Sequence, residues 1–363
     1  MIPIAKPLIG DEEIEAVIKT MRDGTLAQGE GVKRFEEAFA EYIGTKYAVA
    51  VNSGTAALHV ALLSHEIAEG DEVITTSFTF ISTANSMLFV GAKPVFSDVR
   101  EEDFNIDPDG IMEKITPKTI AIIPVHLYGH PAEMKAIGEM AEDHNIIVIE
   151  DACQAHGARI DDRMVGSFGT GCFSFYPTKN MTTGEGGMIT TDDEAVCEKA
   201  RMIRSHGSKV RYKHEMLGYN VRMTDIGAVM GFEQLKKLSS FTKRRQENAK
   251  YLSGKLKLKG IITPRVLDGC EHVFHQYTIR VTEESDITRD DLVRVLNEEG
   301  IDTGIHYPIP IHKQPFYLDM GYNDHLPVSE KLASQVVSLP IHPSISNKDL
   351  DYISDVIREA LGT

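Results

Sequence analysis

Three short segments carry residues whose types and spacing could do chemistry together. Asn52-Ser53-Gly54-Thr55 stands between an apolar run and a helical pattern. Gly54 lets backbone approach closely, Thr55 offers a hydroxyl, and the start of a helix aims N–H groups at an anion. The segment reads as a phosphate cradle or, equally, as an ordinary helix cap. Ile149-Glu150-Asp151 ends the most apolar run of the chain with two acids. A carboxylate there needs a cation or hydrogen-bond donors; Asp151 suits a proton held on a ring nitrogen, or the cap of the turn that follows. Ser174-Phe175-Tyr176-Pro177-Thr178-Lys179-Asn180 places a lysine between Pro177 and the turn Gly184-Glu185-Gly186-Gly187, where its amine is held in place. A phosphate turn, an acid at a strand end, then a serine and a lysine before a Gly-rich turn form a demanding set. In that order they point to Lys179 as the Schiff-base lysine of a pyridoxal-phosphate enzyme.

Such residues must be positioned by a sheet, and the chain supplies one. Apolar, β-branched runs over Tyr47–Val51, Glu72–Thr75, Pro94–Ser97, Thr119–Pro124 and Ile146–Glu150 alternate with helical patterns over Ile81–Val90 and Ala132–His144. Two further strands are expected over Gly171–Phe175 and Gly187–Thr190. Runs of this kind require a buried, mainly parallel sheet, whose ligands lie beyond the carboxyl ends of the strands. Helices are expected over Glu194–Arg204 and Thr224–Leu238. After a charged helical stretch around Lys243–Lys250 the character changes to a smaller α+β pattern, with Gln276–Val281 a strand and Arg289–Glu298 and Asp349–Leu361 helices. The expected division is a large domain over residues 1–245, N-terminal helices included, and a small C-terminal domain over residues 246–363.

The 363 residues carry 38 Lys and Arg against 54 Asp and Glu, a formal charge of −16. A surface that acidic repels phosphate backbones and anionic lipid, which argues against nucleic acid or a membrane as partner. The amino terminus has no leader pattern, no apolar run reaches membrane length, and the four cysteines are scattered, so reduced thiols in the cytoplasm are expected. Cys153 lies close to the other candidates but reads as a small buried residue. His126 and His130 are four apart, but Gly129 and Pro131 interrupt any helix that would join them, and no metal is expected.

The same segments resemble the DegT/DnrJ/EryC1/StrS aminotransferases. The resemblance is carried by VNSGTAAL at Val51–Leu58, SFTFISTAN at Ser77–Asn85, PVHLYG at Pro124–Gly129 and IEDACQAHGA at Ile149–Ala158. It continues through CFSFYPTKNMTTGEGG at Cys172–Gly187, RSHG at Arg204–Gly207, GYNVRMTDIGAVMGFEQL at Gly218–Leu235 and HYPIPIHKQP at His306–Pro315. The resemblance implies a type I aminotransferase fold with a mainly parallel seven-stranded sheet. It also implies pyridoxal 5′-phosphate, alternating with its pyridoxamine form, and residue roles. Lys179 binds the cofactor and moves protons, Asp151 pairs with the pyridine nitrogen, Phe80 stacks on the ring, and Gln154 lies near the ring hydroxyl. Gly54, Thr55 and Ser174 hold the phosphate, and Asn220 reaches the phosphate in a neighbouring subunit, making a homodimer part of the site.

The implied reaction transfers an amino group, commonly from L-glutamate, to a keto group of a nucleotide-linked sugar for surface polysaccharide. Related sugar dehydratases carry histidine where this chain has Lys179, which favours transamination. Gln154 and the HYPIPIHKQP stretch favour a 3-keto over a 4-keto hexose. His306, Tyr307 and His312 in that stretch are candidate substrate contacts, or packing residues with satisfied ring nitrogens. Lys209, Arg211 and Lys213 form a basic island, either counter-charge for a sugar-nucleotide diphosphate or a solvated loop. Other lyase chemistry and a regulatory protein without catalysis are the rival readings.

Overall fold

The computed structural model describes residues 1–362. A seven-stranded sheet forms its centre, in the order Tyr47–Val51, Gly187–Thr191, Thr170–Ser174, Ile147–Asp151, Thr119–Ile123, Glu72–Thr76, Lys93–Ser97. The last five are paired in parallel, and Gly187–Thr191 runs antiparallel to both its neighbours. Six strands therefore end at one edge. The α/β expectation holds, with element ends shifted by one or two residues.

Burial on both faces explains the composition of these strands. Ala48 and Ala50 face a cluster with Phe35, Phe39, Phe173 and Phe175, whereas Val49 and Val51 face Leu58, Leu62 and Ile189. Phe39 packs edge-on against Phe173 and Phe175, with centroids 5.0 and 5.5 Å apart. The small side chains at positions 48 and 50 leave room for those rings, each worth roughly 1.5–3 kcal/mol when buried.

The Glu30–Ile43 helix starts after Gly29, which has no side chain to cap it. Asp225 supplies the cap from across the fold. Its Oδ1 accepts the N–H groups of Gly29 and Val32 at 2.8 and 2.9 Å, and its Oδ2 that of Gly31 at 3.1 Å. The same carboxylate lies in the first turn of its own helix, capped by Thr224, so one charge stabilises two helix N-termini.

That second helix is where structure and expectation part. Instead of ending near Leu238, it runs unbroken over Asp225–Lys255, and residue 245 lies inside it. The run Lys243-Arg244-Arg245 consists of good helix formers, and no Gly or Pro occurs between residues 232 and 253, so the charge run alters the surface and not the backbone. Ala249, Leu252 and Leu256 join the C-terminal core with Ile279, Leu292, Val337 and Ile353. That core surrounds an antiparallel sheet of Ile261–Ile262, Tyr277–Val281 and Val336–Leu339. The chain's first residues lie there too. Ile2 N–H donates to Gly300 O at 2.8 Å, and Asp302 N–H to Ile2 O at 2.9 Å. No helix among the described residues is long and apolar enough to cross a membrane.

Candidate active site

Beyond the shared carboxyl edge of the sheet lies a cavity of about 450 Å³. The turns after four strands supply its floor and walls: Ser53–Thr55, Thr79–Thr83, Asp151–Gln154 and Ser174–Lys179. The C-terminal unit closes it with His275, Gln276, His306 and Tyr307. Nine of the residues singled out from sequence meet there: Gly54, Thr55, Phe80, Asp151, Gln154, Ser174, Lys179, His306 and Tyr307.

Ser53 Oγ accepts the Ala56 N–H at 3.1 Å and starts the Gly54–Ser64 helix, whose first N–H groups open on the cavity. Gly54 is required by its surroundings, since a Cβ there would sit 2.7 Å from Ser174 Cβ and 3.0 Å from Cys153 Sγ. Thr55 Oγ1 lies 2.9 Å from Ser82 Oγ. The Thr55, Ser82 and Ser174 hydroxyls and the first N–H groups of the helix line the same part of the cavity, which suits a phosphate. Phe80 is 54 % exposed, so it belongs to no core; its ring faces the cavity 6.1 Å from that of Tyr307.

Glu150 and Asp151 adjoin on one strand, point to opposite faces, and differ in what they have left to offer. Glu150 accepts the N–H groups of Gly166, Phe168 and Gly169 at 2.7, 2.7 and 2.9 Å and meets His126 Nε2 at 3.1 Å. Because Ala132 N–H donates to His126 Nδ1, the ring proton sits on Nε2 and points at Glu150. That carboxylate is saturated. Asp151 accepts Thr83 Oγ1–H at 2.8 Å and Cys153 N–H at 3.2 Å. Its remaining lone pairs face the cavity, ready for a cationic N–H.

Lys179 Nζ makes no hydrogen bond or ion pair with any described residue. Burial pushes its ammonium pKa down, against the weaker opposing pull of Cys153 and Asp151. Three imidazoles within its field respond in turn. Burial, with Lys179 adding to it, lowers His156 to about 3 and His306 to about 4 and holds His275 well below its ordinary value. The lysine is therefore surrounded by neutral rings. Burial also raises the Cys153 thiol well above its ordinary value, which makes it packing and no nucleophile. Among the lining residues Lys179 is the one lysine or arginine, against Asp151 and Glu185. The set fits pyridoxal phosphate: an amine without a partner, a carboxylate with open lone pairs, and a cradle for an anion.

Some sequence candidates are engaged with other protein groups or lie elsewhere. Gln154 is in the cavity but engaged at both ends, its Oε1 accepting Tyr128 N–H at 3.0 Å and its Nε2 donating to Tyr307 OH at 3.3 Å. His312 is outside the cavity and fully buried, its Nδ1 2.6 Å from Ser77 Oγ and its Nε2 3.2 Å from Glu330 Oε1. It pins the C-terminal segment to the turn before Phe80. Asn220 is exposed and away from the lining. Lys209, Arg211 and Lys213 stand on an exposed hairpin of Ser208–Val210 and Lys213–His214. There Lys209 meets Glu198, Lys213 meets Glu215, and Arg211 lies 4.9 Å over the Tyr212 ring. His130 is engaged as well, its Nε2 accepting Leu267 N–H at 3.1 Å. No group of three His, Cys, Asp or Glu suited to a metal occurs among the described residues. Sequence reasoning missed Thr83, His275 and Gln276. The last two are a polar pair just before the Tyr277–Val281 strand, visible in HVFHQYTIR.

The profile of the DegT/DnrJ/EryC1/StrS aminotransferase family matches residues 7–358. The chain is 42 % identical to the spore coat polysaccharide biosynthesis protein SpsC of Bacillus subtilis, covering 99 % of this chain and 96 % of that one. It is 41 % identical to a UDP-N-acetyl-3-dehydro-alpha-D-glucosamine 3-aminotransferase of Acidithiobacillus ferrooxidans, covering 97 % and 94 %. The solved structure of NtdA from Bacillus subtilis, with bound cofactor PMP, superposes with a TM-score of 0.90 at 33 % identity, over 98 % of this chain and 83 % of that one.

Proposed function

This chain belongs to the DegT/DnrJ/EryC1/StrS aminotransferase family, and on that footing we propose that it moves an amino group from L-glutamate to the 3-keto carbon of a nucleotide-linked hexose. The product is an amino sugar for surface polysaccharide. The observation that carries this reading is the convergence of Lys179, Asp151 and the Gly54–Thr55–Ser174 cradle in one cavity. The bound PMP of NtdA supports pyridoxal phosphate as cofactor. When bound, that group supplies a carbonyl that takes up an amino group and a ring that delocalises electrons from the adjacent carbon.

The chain's own residues divide the remaining work. Thr55, Ser174 and the first N–H groups of the Gly54–Ser64 helix bind the phosphate, and Phe80 covers a ring face against water. Asp151 holds a proton on the ring nitrogen through its open lone pairs. The depressed pKa of Lys179 increases the neutral fraction of its amine, the form that attacks a carbonyl and takes a proton from carbon. No side chain among the described residues holds Nζ, so once the incoming amine has replaced it at the carbonyl it is free to reach the adjacent carbon. The same lysine removes a proton from the α-carbon of the donor and later delivers one to the sugar carbon that receives the amine.

The identity to the Acidithiobacillus 3-aminotransferase supports position 3. A glutamate-dependent assay against 3-keto and 4-keto nucleotide sugars, with product regiochemistry read by NMR, tests it. Amination at C4 alone would overturn the choice of carbon. One cation against two carboxylates cannot balance the phosphates and carboxylates of these substrates, which supports a homodimer whose second copy brings Asn220 and the basic hairpin to the site. Replacing Lys209, Arg211 and Lys213 together by alanine is then expected to raise KM for the sugar nucleotide about tenfold, equivalent to about 1.4 kcal/mol, at similar kcat. An unchanged KM sinks that assignment. The four free cysteines are in keeping with a cytoplasmic reaction.

A further inference from the structure

We propose that Thr83 is a positioning residue that keeps the shared proton on the ring nitrogen by loading Asp151 with a second hydrogen bond. The inference rests on the reading of Asp151 given above and extends it to a residue with no assigned role.

Thr83 is fully buried in the first turn of the Ser82–Phe89 helix, and its hydroxyl donates to Asp151 Oδ2 at 2.8 Å. Little freedom is left to it. A β-branched side chain in a helix has few rotamers, its backbone N–H is bonded to Phe80 O at 3.1 Å, and Ser86 Oγ holds its carbonyl at 2.8 Å. Thr79 Oγ1 lies 3.3 Å from Thr83 Oγ1 and completes a short hydroxyl chain ending on the acid. Cys153 N–H takes the other oxygen, so the carboxylate plane is fixed by a donor at each end. Phe80 and Thr83 are three residues apart and joined by the Thr83 N–H to Phe80 O bond, so one turn both lines the cavity and orients the acid.

The chemistry follows from where the electron pairs go. A carboxylate that already receives two hydrogen bonds has less electron density to offer a third proton, so in a ring N–H···O pair the proton stays on nitrogen. Without the Thr83 hydroxyl, Oδ2 becomes the better acceptor and draws that proton towards itself. The ring then loses positive charge and withdraws electrons less well. No bond to carbon changes, and one proton moves along one existing hydrogen bond.

Thr83→Val removes the hydroxyl at nearly constant volume, and Thr83→Ser keeps it. The test uses holoenzyme reconstituted with cofactor labelled at the ring nitrogen and reads the ¹⁵N shift alongside kcat and KM for glutamate. Thr83→Val is expected to move the shift towards the unprotonated ring and lower kcat about tenfold, the scale of one hydrogen bond to a charged group, with KM within twofold. Thr83→Ser is expected to restore both. The inference is overturned if Thr83→Val leaves the ¹⁵N shift in place, or if Thr83→Ser, which preserves the donor, fails as badly as Thr83→Val. Should Thr83→Val not fold, the decision rests on Thr83→Ala read the same way. Asp151→Asn separates the layers. If it leaves the shift unmoved, the reading of Asp151 is wrong and the inference falls with it; if it moves the shift and the Thr83 variants do not, the inference alone is wrong.

Discussion

Lys179→Ala loses amino transfer by about ten-thousand-fold or more, yet unfolds no more easily than the wild type without cofactor. The first half follows from the absence of a replacement. The other titratable side chains lining the cavity are carboxylates, imidazoles held neutral, a thiol raised out of range and buried or aromatic hydroxyls, and general acid–base work of this size needs a positioned amine. The second half follows from Nζ having no partner. Its folded-state pKa is depressed by burial, so at neutral pH the unfolded chain binds that proton more tightly than the folded one. The protonated lysine therefore costs stability below its folded pKa, and the cost is relieved as pH rises towards the ordinary value. Alanine removes it. Calorimetry of the apo protein at pH 7, with a glutamate half-reaction followed by absorbance, checks both halves. Retained turnover refutes the role of the lysine, and a large fall in Tm refutes the account of its surroundings.

Asp151→Asn is expected to slow the glutamate half-reaction by about a hundredfold to a thousandfold and to weaken cofactor binding. The amide cannot hold a proton on the ring nitrogen by charge. It also mismatches its own supports. Thr83 Oγ1–H and Cys153 N–H both donate to the present carboxylate, and the introduced NH2 must face one of them. The hydroxyl can rotate away, but the backbone N–H cannot, so the amide oxygen turns to Cys153 and its NH2 to Thr83. Stopped-flow measurement of the half-reaction, with cofactor affinity from titration of the apo protein, decides the matter. A rate within tenfold of wild type would rule out a charge-based role.

The strands and the candidate site were legible in sequence to different depths. Ile147-Val148-Ile149 can be little other than a buried strand, and the acid that ends it had to face ligand space or a cap. Lys179 was legible because Pro177 and the Gly-rich turn leave its backbone few conformations. Thr83 and His275 were not, because each acquires meaning only from a neighbour far away in sequence: Asp151 for one, the Lys179 side of the cavity for the other. His312 shows the converse. In HYPIPIHKQP it looks equivalent to His306, but the short turn Ile311–Lys313 carries it inward to Ser77 and Glu330. Residue 245 looked like a seam because charge density changes there. Helix propensity, which does not change, decided the backbone.

The long helix and the amino-terminal pairing together bear on how this scaffold could be recombined with a homologue. A chimera joined at residue 245 would splice two parents in mid-helix, next to Arg245. That guanidinium is buried with no acid partner among the described residues and is held by the carbonyls of Phe274 and His275. Moving the junction past Leu256 is not sufficient, because Ile2 is bonded to Gly300 and Asp302. The C-terminal unit is made from both ends of the chain, so exchanging it intact takes two crossovers.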